Sequence, residues 1–280
     1  MPSLREVARC QKNLNIRLAP AESAGASPIV GKQNWHSLDK SANLFYFRFM
    51  DVRQRQILKV IIEEFVKTHE PVGSGSVVEM LPFEVSSATV RNDMAELTEA
   101  GLIAQPHTSA GRIPTEAGYR EYIQTTMQEQ KELSLRQQEI LLAHFKKLKT
   151  LQERFREAAK MLSELSGSVG LLIDDEQVYM SGLANLAKLP EFRDEAFGEE
   201  FMSLIEDPAS QLQRLAKQTH GEAKVWLGSD NPAANNASIV VTKFGTNGKQ
   251  VISVVGPVRM HYGKTLPAME YIAKILNGEI

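Results

Sequence analysis

Two runs of small polar residues, each with one arginine, are the part of this chain best suited to bind another molecule. The first run contains Ser86, Ser87, Thr89, Arg91 and Asn92. The second run contains His107, Thr108, Ser109 and Arg112. Arginine can bind a guanine edge through two hydrogen bonds, asparagine can do the same with adenine, and small side chains allow close approach to a groove. Hydroxyl, imidazole and guanidinium donors also suit phosphate. The two runs therefore predict DNA binding.

The elements around these runs have the order of a winged helix-turn-helix domain, which we place at 50–125. An amphipathic helix from Arg53 to His69 carries an apolar stripe at helical spacing and ends before Pro71. A short helix follows through Met80, with Ser74 as its predicted N-cap and a predicted DNA contact. The next helix reads DNA in such a domain, and a loop between two short strands forms the wing.

The helix predicted to read DNA has Ser86 as its N-cap. The helical period indicates which of its residues are buried and which are exposed. Val90, Met94 and Leu97 recur at core spacing, which leaves Arg91 and the small polar residues on the opposite face. The wing is predicted between strands at 102–105 and 113–115. No Asp or Glu lies between those strands. A positively charged loop of this kind is expected to contact phosphate.

Several runs in this region resemble the signature runs of the HrcA family of bacterial heat-inducible transcription repressors. They are Glu70-Pro71-Val72-Gly73-Ser74, Ser86-Ser87-Ala88-Thr89-Val90-Arg91-Asn92-Asp93-Met94 and Gln105-Pro106-His107-Thr108-Ser109-Ala110-Gly111-Arg112-Ile113-Pro114-Thr115. Later matches are Gly182-Leu183-Ala184-Asn185-Leu186, Pro190-Glu191-Phe192-Arg193-Asp194 and Gly256-Pro257-Val258-Arg259-Met260. The resemblance runs from about Met50 to the C-terminus. It implies a dimeric repressor of chaperone operons that binds an inverted-repeat operator in double-stranded DNA, with the GroE chaperonin as a further partner.

The chain departs from the family in three places. Gly75 stands where the family commonly has arginine, which removes one expected DNA contact or helix-supporting residue. The region between Ile173 and Val178 is short where the family carries a large inserted dimerisation segment. Residues 1–48 resemble no part of the family.

Composition is that of an ordinary globular protein, with 42% hydrophobic and 24% charged residues. Cys10 is the single cysteine, which excludes an intramolecular disulfide and a cysteine-cluster zinc site. The sequence has no nucleophile elbow, phosphate loop or metal motif, so we expect no enzyme activity and no cofactor. It has no apolar run long enough to span a membrane, and cytoplasmic localisation is the expectation.

The net charge of the predicted DNA-binding domain is not that of a simple basic DNA-binding protein. Residues 51–125 contain seven Lys and Arg against eleven Asp and Glu, a net charge of −4. Strong non-specific DNA binding is therefore not expected, because it depends on neutralised phosphates. Residues 1–49 contain seven basic and three acidic residues and read as a disordered basic extension. Four interpretations of this extension stay open, namely a start-site artefact, a dispensable tail, a phosphate-binding arm and a transit peptide.

Residues 126–166 predict a long linker or dimerisation helix. Leu141, Leu148, Phe155 and Leu162 repeat every seven residues, which is typical of a coiled coil. The alternative is a helix that packs on its own C-terminal domain. Residues 167–280 then predict an α+β domain resembling a GAF-like regulatory fold, with a mostly antiparallel sheet. Its predicted strands are 169–173, 178–180, 224–227, 238–242 and 250–255, and its predicted helices are 190–206, 208–220 and 266–276.

We conclude that the sequence predicts a dimeric, sequence-specific transcription repressor. Two alternatives stay open. One is a winged helix that binds protein, which the acidic balance of 51–125 favours. The other is a small-molecule sensor or an enzyme built on the C-terminal fold.

Overall fold

The computed structural model describes residues 50–129, 132–219, 222–247 and 249–280. The predicted N-terminal extension lies outside them, as do His220 and Gly248. The first part of the fold, which we call the head, comprises residues 50–129. Its elements are α1 (Val52–Thr68), α2 (Ser74–Met80), α3 (Ser87–Glu99), β1 (Ile103–Ala104), β2 (Ile113–Pro114) and α4 (Glu116–Glu129). This order confirms the winged helix-turn-helix prediction.

The head forms around the apolar faces that the helical spacing predicts. Ile57 and Ile61 of α1 are fully buried, as are Val90 and Leu97 of α3. The start of α1 has a capping box, in which the Asp51 carboxylate accepts from the backbone N–H of Gln54 at 2.7 Å. One predicted cap is wrong. Gly73 is the N-cap of α2, and Ser74 is its first helical residue.

The single helix predicted over 126–166 is wrong. The chain instead forms α4 to Glu129, then α5 (Leu135–Phe145) and α6 (Leu151–Ser166). Capping boxes at Ser134 and Thr150 begin α5 and α6, and each stabilises a new helix start. The heptad stripe therefore does not run along one helix.

The core-forming residues of α6 point into their own fold. Phe155, Ala158 and Leu162 are buried in the same apolar core as Leu172 and Val240 of the sheet. The structure thus adopts the alternative in which this segment packs on its own C-terminal domain.

The C-terminal part is an α+β fold with one antiparallel sheet, as predicted. Its strands are β3 (Val169–Asp174), β4 (Gln177–Ser181), β5 (Lys224–Leu227), β6 (Ala237–Phe244) and β7 (Gln250–Pro257). Their order across the sheet is β4-β3-β7-β6-β5, and every neighbouring pair is antiparallel.

Helices cover both faces of this sheet. They are α6 and α10 (Tyr262–Asn277) on one face, with α8 (Glu195–Glu206) and α9 (Pro208–Ala216) on the other. A short helix α7 (Leu183–Leu186) follows β4. Alternating strand residues fill the two apolar cores, with Leu172 on the α10 side and Leu171 on the α8 side. The core on the α10 side continues through α4 into the head.

Two helix boundaries differ from the prediction. The helix expected over 190–206 begins as a 3-10 turn, Pro190–Arg193, and restarts as α8, because Asp194 accepts from the backbone N–H of Phe197 and caps a new helix. The last helix begins at Tyr262 rather than Leu266, so that Pro267 lies inside it. In the described ranges no helix is long and apolar enough to cross a membrane.

Candidate nucleic-acid interface

The N-terminus of α3 is exposed and held by a side-chain cap. Ser86 Oγ accepts from the backbone N–H of Thr89 at 3.1 Å and lies 2.8 Å from Thr89 Oγ1. Ser86 is therefore the N-cap that the sequence predicts. Ser87 is exposed beside it, and Thr89 is partly buried. This first turn presents two hydroxyls and the positive end of the helix dipole, both of which suit phosphate.

Arg91 and Asn92 are exposed on the next turn of α3, as the helical period predicts. Arg91 Nε donates to Ser74 Oγ at 3.3 Å. Ser74, which the sequence suggested as a cap and DNA contact, thus supports the guanidinium from α2. An arginine has five N–H donors, so this bond leaves donors for a base or phosphate.

Two carboxylates of α3, those of Asp93 and Glu96, are bonded to α1. Asp93 is 3% exposed and accepts two hydrogen bonds from Arg53 of α1, at 2.7 and 3.0 Å. Its hydrogen bond and charge raise the pKa of Arg53. Glu96 accepts from Gln54 Nε2 at 2.6 Å. These contacts fix α3 on α1, and sequence reasoning missed them because the partners lie far apart in the chain.

The tip of the wing is exposed and internally bonded. His107, Thr108 and Ser109 are all exposed. The Gln105 side-chain amide donates to the carbonyls of Thr108 and Ala110, at 2.9 and 3.0 Å, which pre-organises the loop. The backbone N–H of Ala110 donates to His107 O at 2.8 Å. This N–H is therefore used within the loop, and the donors that the wing tip presents outward are side chains.

Arg112 lies at the base of the wing rather than at its tip. Its backbone N–H and carbonyl both bond to Val72, each at 2.9 Å. Its side chain is partly buried, and Nε donates to Thr98 Oγ1 of α3 at 3.1 Å. Arg112 thus joins the wing to α3, a role that the sequence pattern did not reveal.

Gly111 is required by the close packing at this base. A Cβ added there would lie 2.5 Å from the carbonyl carbon and oxygen of Val72 and 2.8 Å from the carbonyl carbon of Pro71. Real Cβ atoms do not approach backbone atoms this closely. Glycine at this position therefore allows the wing backbone to pack directly on Val72.

These features define a winged helix-turn-helix transcription regulator. The α3 face and the wing belong to one head, and α3 is bonded to α1 and α2. In the described part of the chain, no three His, Cys, Asp or Glu side chains are placed to hold a metal ion.

Comparison with known proteins identifies the family. The model of the HrcA protein C terminal domain matches residues 116–266, and that of a DeoR-like helix-turn-helix domain matches residues 53–116. The chain belongs to the HrcA family of transcription repressors, which are not enzymes.

Curated relatives named heat-inducible transcription repressor HrcA agree with this assignment. The protein from Desulfitobacterium hafniense is 25% identical over an alignment that covers 81% of this chain and 97% of that protein. The protein from Natranaerobius thermophilus is 42% identical over 123 residues, which cover 43% of this chain and 35% of that protein. The fold is also similar to a crystal structure described as that of a hypothetical protein, with TM-score 0.62, 19% identity, and coverage of 83% of this chain and 98% of that one.

Proposed function

We propose that this chain represses chaperone operons by binding an inverted-repeat operator as a dimer. The observation that supports this proposal is the exposed face of α3, where Arg91 and Asn92 lie beyond a capped N-terminus while Asp93 is held against α1. The exposed wing residues His107, Thr108 and Ser109 supply further donors in the same head. We assign base or phosphate contacts to Ser87, Arg91 and Asn92, phosphate contacts to the wing tip, and supporting roles to Ser74, Ser86, Thr89 and Arg112.

The acidic count of the head is compatible with specific binding. Asp93 is neutralised by its contact with Arg53, so its charge does not face the groove. The few basic side chains of one head can neutralise only a few DNA phosphates. Affinity must therefore come from base contacts and from the binding of both heads of a dimer to the same operator. A two-fold dimer would place one head on each half of an inverted repeat.

Fluorescence anisotropy with two duplexes tests the proposed function. One duplex carries the family's inverted-repeat operator, and the other is a scrambled duplex of equal composition, both at physiological salt. We expect a preference of about a hundredfold or more, within the range of specific DNA readers. Equal, weak binding to both would overturn the proposal and favour a winged helix that binds protein, as the net charge of −4 over 51–125 allows.

Replacing Gly75 with arginine is expected to strengthen DNA binding. Gly75 is exposed on α2 next to Ser74, and an added Cβ meets nothing within 4 Å. One new phosphate contact should steepen the slope of log affinity against log salt by about 0.9 and raise affinity roughly threefold on operator and random DNA alike. Gly75→Gln is the uncharged control, and an unchanged salt slope for the arginine variant would contradict the prediction.

The chaperonin partner is proposed on the family resemblance. We expect added GroE to raise the fraction of the repressor that binds operator, and an unfolded client protein to reverse this effect by occupying the chaperonin. Anisotropy at fixed repressor concentration measures it for the repressor alone, with GroE, and with GroE and the client protein. Operator binding that is the same in all three mixtures would reject the chaperonin as a partner. Cytoplasmic localisation belongs to the same proposal.

A further inference from the structure

A polar network joins the helix that leaves the wing to the C-terminal sheet. Ser229 lies in the 3-10 turn Gly228–Asp230 after β5, and its backbone N–H and hydroxyl donate to Glu116 Oε1 of α4 at 3.2 and 2.8 Å. Arg120, one turn along α4, donates to Glu116 and to Ser229 Oγ, the latter at 3.3 Å. It also pairs with Asp230 at 2.8 Å. We call these four side chains the α4 network.

Close backbone approach at Gly228 allows this network to form. Gly228 has φ +47°, and an added Cβ would lie 2.6 Å from Glu116 Oε2. A side chain at this position would meet the Glu116 carboxylate in a backbone conformation that favours glycine. The turn is therefore shaped to receive the first residue of α4.

An aromatic contact holds the next part of α4. The rings of Tyr119 and Tyr262 meet edge to face, with centroids 6.3 Å apart. The buried hydroxyl of Tyr262 donates to Val258 O at 2.6 Å and lies 2.8 Å from Ser238 Oγ of β6. Tyr119 is thus packed on a residue that is itself bonded to the sheet, which gives the junction a rigid apolar part.

A second ion pair borders the same junction. Arg259 makes two contacts with Glu191, one of them at 2.6 Å, and its side chain is 9% exposed. Desolvation, and after it the nearby charge of Arg259, lowers the pKa of His69 at the end of α1. Two motifs that resemble the family, around Glu191 and around Arg259, therefore meet beside the head.

The helix α4, which makes these contacts, follows the wing almost directly in the chain. Only Thr115 separates β2 of the wing from α4. Its hydroxyl donates to the carbonyl of Gly101 at 2.6 Å and accepts from the backbone N–H of Gly118 at 3.1 Å. No flexible spacer therefore separates the wing from α4, the helix that is bonded to the C-terminal fold.

We propose that the α4 network is a positioning device that fixes the angle between head and C-terminal fold, and so determines which half-site spacing a dimer accepts. This inference rests on the dimeric operator binding proposed above. A dimer with rigidly held heads can engage both half-sites only when they lie on the correct faces of the duplex. Heads on a loosened junction would tolerate more spacings, because the second head could reorient.

The experiment compares the full chain with Arg120→Ala on operators of different half-site spacing. Spacers are changed one base pair at a time, up to about five, which turns a half-site to the opposite face of the duplex. For the unaltered chain we expect affinity to fall by about tenfold or more away from the best spacing. For Arg120→Ala we expect less than about threefold variation, with unchanged binding to a duplex that carries one half-site.

The matched control is Arg214→Ala, which removes an exposed arginine on α9 and changes the net charge equally. It should retain the spacing preference of the unaltered chain. The inference is overturned if Arg120→Ala keeps that preference, or if it weakens single half-site binding as much as operator binding.

Amide hydrogen exchange distinguishes failure of this inference from failure of the proposed function. If the unaltered chain binds the operator with two half-sites no more tightly than the duplex with one half-site, dimeric operator binding is wrong, and exchange in the free protein decides whether the network holds the head. We expect Arg120→Ala to accelerate exchange in α4 and the 228–230 turn by about tenfold, with α3 unchanged. Equal exchange in both proteins would overturn the network as a positioning device.

Discussion

Arg91→Ala is expected to weaken operator binding by about 1–3 kcal/mol while random DNA is bound almost as before. Arg91 is exposed on α3 and is steadied by Ser74, 3.3 Å from Nε to Oγ, so its guanidinium is pre-organised for a base edge. A loss of this size would be about five- to 150-fold in affinity. Anisotropy on operator and scrambled duplexes measures both values.

Arg214→Ala serves as the control for this prediction as well, because it removes the same charge outside the head. It should change neither affinity by more than about twofold. An equal loss on operator and scrambled DNA for Arg91→Ala would reassign Arg91 to a phosphate contact. No loss on either duplex would remove α3 from the proposed interface.

Gly111→Ala is expected to lower the free energy of unfolding by about 1–3 kcal/mol and to weaken operator binding. The added Cβ would lie 2.5 Å from the Val72 carbonyl, which is main chain and cannot rotate away. The backbone bonds between Val72 and Arg112, each at 2.9 Å, must lengthen to relieve this contact. The wing would then move relative to α3. Urea denaturation and operator anisotropy measure the two effects.

Gly75→Ala is the matched control, because an added Cβ there meets nothing within 4 Å and the position is helical. It should leave stability unchanged or raise it by up to about 1 kcal/mol. If Gly111→Ala were equally harmless, the base of the wing would be looser than its contacts indicate.

Local signals in the sequence predicted most of the head. Ser86 caps α3 because a serine hydroxyl can accept from an N–H three residues later, and this needs no distant partner. The spacing of Val90, Met94 and Leu97 predicted which face of α3 is buried. It also predicted correctly that Arg91 and Asn92 would be exposed.

The same kind of reasoning failed where a local pattern had two physical outcomes. The leucine repeat over 126–166 suits either a coiled coil or a helix on its own core. Capping boxes at Ser134 and Thr150 interrupt the helix, and Phe155 is buried against the protein's own sheet. The roles in DNA binding assigned to the α3 and wing residues stay predictions until binding is measured.

The sequence by itself determined the helices of the head, the five strands of the sheet and the family to which the chain belongs, because caps, turns and apolar spacing act within a few residues. Only the tertiary structure decided the ion pairs that hold α3 on α1 and that lie at the junction with the C-terminal fold. Arg53 and Asp93 are 40 residues apart, and Glu191 and Arg259 are 68 apart. The sequence offers many possible partners for each charged side chain. Which pair forms depends on how whole elements pack, because only the folded chain brings two of them within bonding distance.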